Sequence, residues 1–184
     1  HHFFSVCINS VWLKKAGELL QDSSIKLCTV AGFPMGDSTT SSKLNEMETS
    51  INNGASEIDM VMNISFFKNE KYNMVSDEII RMVQNAHGKI IKVIIESGIL
   101  SKEEIITATK LVEDSGAHFV KTSTGFSAFG ASPEIITTIK STLKSDTKIK
   151  ASGGIKSLNQ VEELIDAGAD RIGSSSGIII MEEI

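Results

Sequence analysis

Strand and helix signals alternate along this chain without interruption, and that alternation excludes most folds. Seven short apolar runs read as strands: Ser5–Ile8, Lys26–Ala31, Glu57–Met62, Ile90–Ile95, the run around Lys121 in FVKTSTGF (Phe119–Phe126), Lys148–Ala151 and Arg171–Ser174. Helical spacing fills the intervals at Val11–Leu20, Ser42–Asn53, Ser76–Ala86, Lys102–Ser115 and Pro133–Leu143. A further helix is opened by Ser157, and a short helical turn follows the last strand. Ser101 with Glu104, and Ser157 with Gln160, have the spacing of a capping box, and Pro133 stands at a first helical position. The residues ahead of Ser5 read as the end of a helix, and GFPMG (Gly32–Gly36) as a turn-rich loop. The strand runs are almost continuously apolar, as in a parallel sheet covered by helices.

A Gly-Ala step closes a helix and opens a strand three times, at Gly54, Gly116 and Gly168, with 62 and 52 residues between them, two βα units each time. Units of that size fit an α/β fold of the (β/α)8 TIM barrel type, of about 250 residues or a more compact one. A doubly wound sheet is the rival, but the G-x-G-x-x-G fingerprint expected after its first strand is absent. Seven strands do not close an eight-stranded barrel. The expectation is a single barrel domain over residues 1–184 that holds strands two to eight. The first strand and helix would lie outside this sequence or be missing from the protein by natural truncation.

Composition narrows the class of function. The 184 residues are 41% hydrophobic, enough for one sizeable core. A net charge of −5 and a pI near 5.4 argue against a nucleic-acid partner, which calls for a basic face. No apolar run approaches the roughly 20 residues of a membrane span, and no signal peptide is visible. A cytoplasmic enzyme without a membrane partner is the expectation. Cys7 and Cys28 each fall inside an apolar strand run and read as buried thiols rather than a disulfide. His87 and His118 have no partner at ligand spacing and read as a helix-end and a strand-edge residue, so neither metal nor cofactor is expected.

In a barrel the outward strand residues pack on helices, so a charged residue in mid-strand faces the interior. Asp59, Lys92, Lys121 and Lys150 are such residues. Burying four charges is costly unless they are paired and hydrogen-bonded. A buried ion network that merely fixes the fold is one reading; a reactive site is the other. A lysine attacks a carbonyl only as the neutral amine, so its ordinary pKa of about 10.4 has to fall by several units. Burial and a neighbouring cation both push it down. Lys121 and Lys150 on consecutive strands would lie about 5 Å apart by backbone. One would stay cationic and depress the other, while Asp59 balances the charge and serves in proton transfer. That is an arrangement for Schiff-base chemistry. Glycine-rich loops follow the last two strands, SGGI (Ser152–Ile155) and GSSSG (Gly173–Gly177). Loops there often bind phosphate through backbone N–H groups, which points to a small phosphorylated substrate.

Taken together, SVCIN (Ser5–Asn9), CTVAGFPMG (Cys28–Gly36), GASEIDMVMN (Gly54–Asn63), KVIIE (Lys92–Glu96), GAHFVKTSTGF (Gly116–Phe126), KASGGI (Lys150–Ile155) and RIGSSSG (Arg171–Gly177) resemble the deoxyribose-phosphate aldolases. The resemblance runs over essentially the whole chain. It implies a metal-free (β/α)8 barrel that reversibly cleaves 2-deoxy-D-ribose 5-phosphate to acetaldehyde and D-glyceraldehyde 3-phosphate, and a homodimer or homotetramer. It implies Lys121 as the Schiff-base lysine, Lys150 as the lysine that tunes it, and Asp59 as the acid/base carboxylate. Thr124, Gly125, Gly153, Gly154, Gly173, Ser175 and Ser176 match phosphate and substrate contacts, and so do Lys92 and Cys7, at inner positions near the site. The family's first strand, with its Asp-His-Thr motif, has no counterpart here, which leaves an open barrel with edges at Ser5–Ile8 and Arg171–Ser174. Two other readings stand beside this one: another Schiff-base aldolase of the transaldolase kind, and a truncated, non-catalytic phosphate-binding barrel.

Overall fold

The computed structural model describes residues 1–184. Its strands are β1 (Ser5–Cys7), β2 (Lys26–Ala31), β3 (Glu57–Val61), β4 (Ile90–Ile94), β5 (Phe119–Lys121), β6 (Lys148–Ser152) and β7 (Arg171–Gly173). They lie side by side in chain order, every neighbouring pair parallel, and β1 and β7 do not pair with each other. The sheet is curled, because Arg171 on β7 reaches across its inside to Glu57 on β3. The helices are α1 (Leu13–Leu19), α2 (Thr40–Asn52), α3 (Ile64–Lys68), α4 (Tyr72–Gln84), α5 (Lys102–Asp114), α6 (Pro133–Thr142), α7 (Leu158–Asp166) and α8 (Gly177–Glu182). Residues of alternate strand positions, Ile58, Met60, Ile91, Val93 and Val120, pack with Met47, Ile79, Met82, Ala108 and Ile136 of the helices in one apolar cluster. The opposite strand face is left for the charged residues, as the period of two requires.

Local chemistry accounts for the helix ends. Ser101 and Glu104 form a capping box at α5, as do Ser157 and Gln160 at α7, and Ser132 caps α6 with Pro133 in its first turn. Two expectations need correction, and one short helix was not expected. The residues ahead of β1 are not helical; Phe3 packs against Gly177, and Phe4 lies under the Arg171 guanidinium at 3.9 Å. The helix expected from Val11 starts as a 3-10 turn over Ser10–Trp12. The short α3 was hidden by the apolar residues that follow β3, although its cap, Asn63, accepts the Phe66 N–H.

One buried ion pair holds helices to the sheet. Lys43 on α2 and Glu78 on α4 meet at 2.8 Å with almost no exposure. Lys43 Nζ also donates to the Val61 carbonyl at 2.8 Å, and Glu78 accepts the Asn63 N–H at 3.1 Å. Burial pushes the Lys43 ammonium down and the Glu78 carboxyl up, against their mutual attraction. Desolvation therefore outweighs attraction, and the pair contributes more to the geometry of the β3–α3 turn than to net stability. Lys43→Met alone should destabilise by about 3–5 kcal/mol in urea unfolding, because Glu78 is left buried without a counter-ion. Adding Glu78→Leu should recover part of that loss. A double variant less stable than the single one would contradict the assignment.

Candidate active site

The four charges read from the strands meet inside the curl. Asp59 is fully buried and central. Its Oδ2 accepts from Lys121 Nζ at 2.7 Å and Lys150 Nζ at 2.6 Å, and its Oδ1 accepts from Lys92 Nζ at 2.8 Å. The register makes this possible: Asp59 is opposite Lys92 across β3 and β4, and Lys121 is opposite Lys150 across β5 and β6. Burial alone would raise the Asp59 carboxyl, but the Lys121, Lys150 and Lys92 ammonium groups outweigh it and hold the group well below the usual carboxylate range. Burial likewise acts to lower Lys150 and Lys92, and the Asp59 charge outweighs it, so both hold their protons more tightly than a free lysine.

A second carboxylate, Glu57, completes the network. It binds Lys92 at 2.7 Å and Arg171 at 3.0 Å. Neither Glu57 nor Arg171 was singled out from the sequence, because each is the first residue of its strand. The signal that finds Glu57 is its separation of two residues from Asp59, which puts both on one face of β3. Four cations thus face two carboxylates. Excess positive charge in a nearly dry interior favours a ligand that brings negative charge.

Lys121 and Lys150 form the floor of a cavity of about 780 Å³ whose wall includes Cys7, Thr124, Gly125, Gly153, Gly154, Gly173 and Ser175. Three expected residues are not in that wall. Asp59 and Lys92 lie beneath the two lysines, so a direct substrate contact for Lys92 is corrected: it is wholly buried between Glu57 and Asp59. Ser176 is the third, and its backbone N–H is taken up within its own loop, donating to Ser174 Oγ at 2.9 Å. The backbone N–H groups of Gly125, Gly153, Gly154 and Ser175 donate to no protein acceptor. Gly153 adopts φ +90°, and a Cβ there would press on Ser123 Cβ and Gly130 Cα at 3.1 Å, so only glycine fits without strain. Glu96, a residue not singled out from the sequence, binds the loop at Thr124 and Ser127.

Comparison with protein families matches residues 2–182 to DeoC, described as DeoC/LacD family aldolase. The chain belongs to the DeoC/LacD aldolase family. A relative from Bdellovibrio bacteriovorus named deoxyribose-phosphate aldolase is 49% identical over 182 residues, 99% of this chain and 83% of that protein. A solved structure described as "QR15, an Aldolase" superposes with a TM-score of 0.95 at 42% identity, covering 98% of this chain and 81% of that one. The deoxyribose phosphate aldolase of Aeropyrum pernix, described as having a unique tetrameric structure, gives a TM-score of 0.87 at 31% identity, covering 96% of this chain and 75% of that one.

One thiol of this aldolase departs from expectation. Cys28 is buried, but Cys7 is exposed to the cavity. The two look alike in sequence and are opposite each other in register, yet β1 pairs only with β2, so its residues are not enclosed on both sides. Cys7, Cys28 and Asp59 bring three potential metal ligands within 4.8 Å. A cation there would displace the ammonium groups that occupy Asp59 and be repelled by them, so the cluster does not fit a metal. The Cys28 thiol has one proton; it donates to Asp59 Oδ1 at 3.3 Å and can turn to an ionised Cys7. Contact with Cys28, reinforced by the Lys150 and Lys121 ammonium groups against burial and Asp59, lowers the Cys7 thiol to about 7. Iodoacetamide should therefore label Cys7 in the folded protein at a rate that rises with pH and reaches half its maximum near that value, leaving Cys28 unlabelled. A midpoint at the ordinary thiol value, or labelling of Cys28 first, would contradict this electrostatic picture.

Proposed function

We propose that this aldolase reversibly cleaves 2-deoxy-D-ribose 5-phosphate to acetaldehyde and D-glyceraldehyde 3-phosphate through a Schiff base on Lys121. The observation that carries the reading is the pair of lysines sharing one carboxylate oxygen on the cavity floor, below a rim of unpaired backbone N–H groups. The choice of sugar is supported by the name borne by the Bdellovibrio relative.

The neutral Lys121 amine adds to the C1 aldehyde of the open-chain sugar, and loss of water gives an iminium. The iminium accepts the electron pair of the C2–C3 bond as that bond breaks. The C3 hydroxyl loses its proton and becomes the aldehyde of D-glyceraldehyde 3-phosphate, leaving an enamine on Lys121. Protonation at C2 and hydrolysis then release acetaldehyde and free amine. An uncharged amine still has two N–H donors, so the contact of Lys121 with Asp59 survives loss of its proton. We assign the proton relay at C3 and C2 to Lys150, with water as the carrier. Asp59 is buried and deeply ionised, which suits a group that holds both lysines in place rather than one that exchanges protons with the sugar. The N–H groups of Gly125, Gly153, Gly154 and Ser175 would receive the phosphate. We take the enzyme to act as a homodimer or homotetramer in the cytoplasm. The Aeropyrum relative described as tetrameric supports an oligomer, and no helix is long and apolar enough to cross a membrane.

Release of D-glyceraldehyde 3-phosphate from the sugar phosphate, followed in a coupled assay, tests the division of labour. Lys121→Leu should show no turnover at any pH. Lys150→Leu should keep a residual rate about 10²–10⁴-fold below the parent, the usual span for one acid–base group. Residual turnover in Lys121→Leu together with none in Lys150→Leu would reverse the two roles.

A further inference from the structure

Glu96 is buried just beyond β4, at 7% exposure, and no ion pair of the structure includes it. Its backbone is left-handed, at φ 53° and ψ 55°, a conformation uncommon for a residue with a side chain. Its carboxylate accepts the Thr124 N–H with both oxygens, at 3.3 and 3.4 Å, the Thr124 hydroxyl, and the Ser127 hydroxyl at 2.9 Å. A buried carboxylate without a counter-ion has to be met by hydrogen bonds, and here every one comes from residues 124–127. Carboxylate and loop therefore hold each other. Thr124 Oγ1 also accepts the Phe126 N–H at 3.1 Å, so its single proton is committed to Glu96. The residue between them is Gly125, whose own N–H is unpaired in the cavity wall. At its far end the loop supports the next one: the Ala131 N–H donates to the Gly153 carbonyl at 3.1 Å, and a Cβ on Gly130 would lie 2.0 Å from that oxygen.

We infer that Glu96 is a positioning residue that sets the preference of the site for a phosphorylated substrate. It is not part of the cavity wall. It acts by fixing Gly125, and through Gly130 the Gly153–Gly154 turn, so that their N–H groups form one cradle for an anion. The identity of that anion as the sugar's phosphate rests on the function proposed above.

The test uses the full chain and the Glu96→Gln variant, which keeps the shape of the side chain and removes its charge. Inorganic phosphate titrated by calorimetry should bind about tenfold more weakly to Glu96→Gln. The KM for 2-deoxyribose 5-phosphate should rise by about as much while kcat changes little, and kcat/KM for unphosphorylated 2-deoxyribose should stay as in the parent. A carboxylate that acted only through its charge would repel an anion, so its removal would tighten phosphate binding. Unchanged or tighter binding, or an equal loss with both sugars, overturns the inference. Ser127→Ala, which removes one loop donor and leaves Glu96 in place, keeps the test open if Glu96→Gln does not fold; it should weaken phosphate binding by about threefold, and no change would count against the inference. A parent protein that cleaves neither sugar would overturn the proposed reaction, whereas the phosphate titration would still decide the role of Glu96.

Discussion

A single buried carboxylate, Asp59, gathers three ammonium groups into the interior of a curled sheet, and the rest of the site follows from that contact. Each ion taken from water into a protein interior costs several kcal/mol, which only close and well-directed partners offset. Contacts of 2.6–2.8 Å meet that condition. Lys121 and Lys150 share one oxygen, Oδ2, while Lys92 holds the other, so all three ammonium groups are anchored to one carboxylate. Lys92 is held from below by Glu57 as well, and so works as a strut between the two carboxylates. The lysines are thereby fixed before any substrate arrives, which is the pre-organisation that covalent catalysis requires.

The same network sets the charge of the cavity. Arg171 adds a fourth cation, and Glu57 gives only the second anion. The interior is left short of negative charge at the point where unpaired backbone N–H groups of three loops surround the opening. Sheet and loops thus favour the same kind of ligand, one with an electrophilic carbon for an amine and an anion for the rim. The loops are held from outside the cavity, by Glu96 at Thr124 and Ser127 and by the tight approach of Gly130 to Gly153.

Much of this was legible in the sequence, for a physical reason. Where strands are covered by helices on one face, a charge in mid-strand can only turn inward, so Asp59, Lys121 and Lys150 declared themselves. Depth did not. Lys92 has the same pattern as the other lysines, but lies one layer lower, because β4 meets β5 with Ile94, not Lys92, opposite Lys121. Cys7 and Cys28 differ only in whether a strand lies on both sides. Glu57 and Arg171 stand at strand starts, where a charge reads as a boundary. Lys43 and Glu78 sit on helices, where charges read as solvent-facing, and nothing local announces that both are buried. Glu96 meets Thr124 across 28 residues of chain and Ser127 across 31, a relation that only the folded loops reveal.

The central claim is that Lys121, out of several amines held within one small network, is the one that bonds to substrate carbon. The direct measurement is to treat the full chain with acetaldehyde and cyanoborohydride and to locate the resulting N-ethyl group by peptide mass mapping. The account predicts rapid modification of Lys121, with Lys150 and Lys92 unmodified. An adduct on Lys150, or modification confined to exposed lysines, would contradict it.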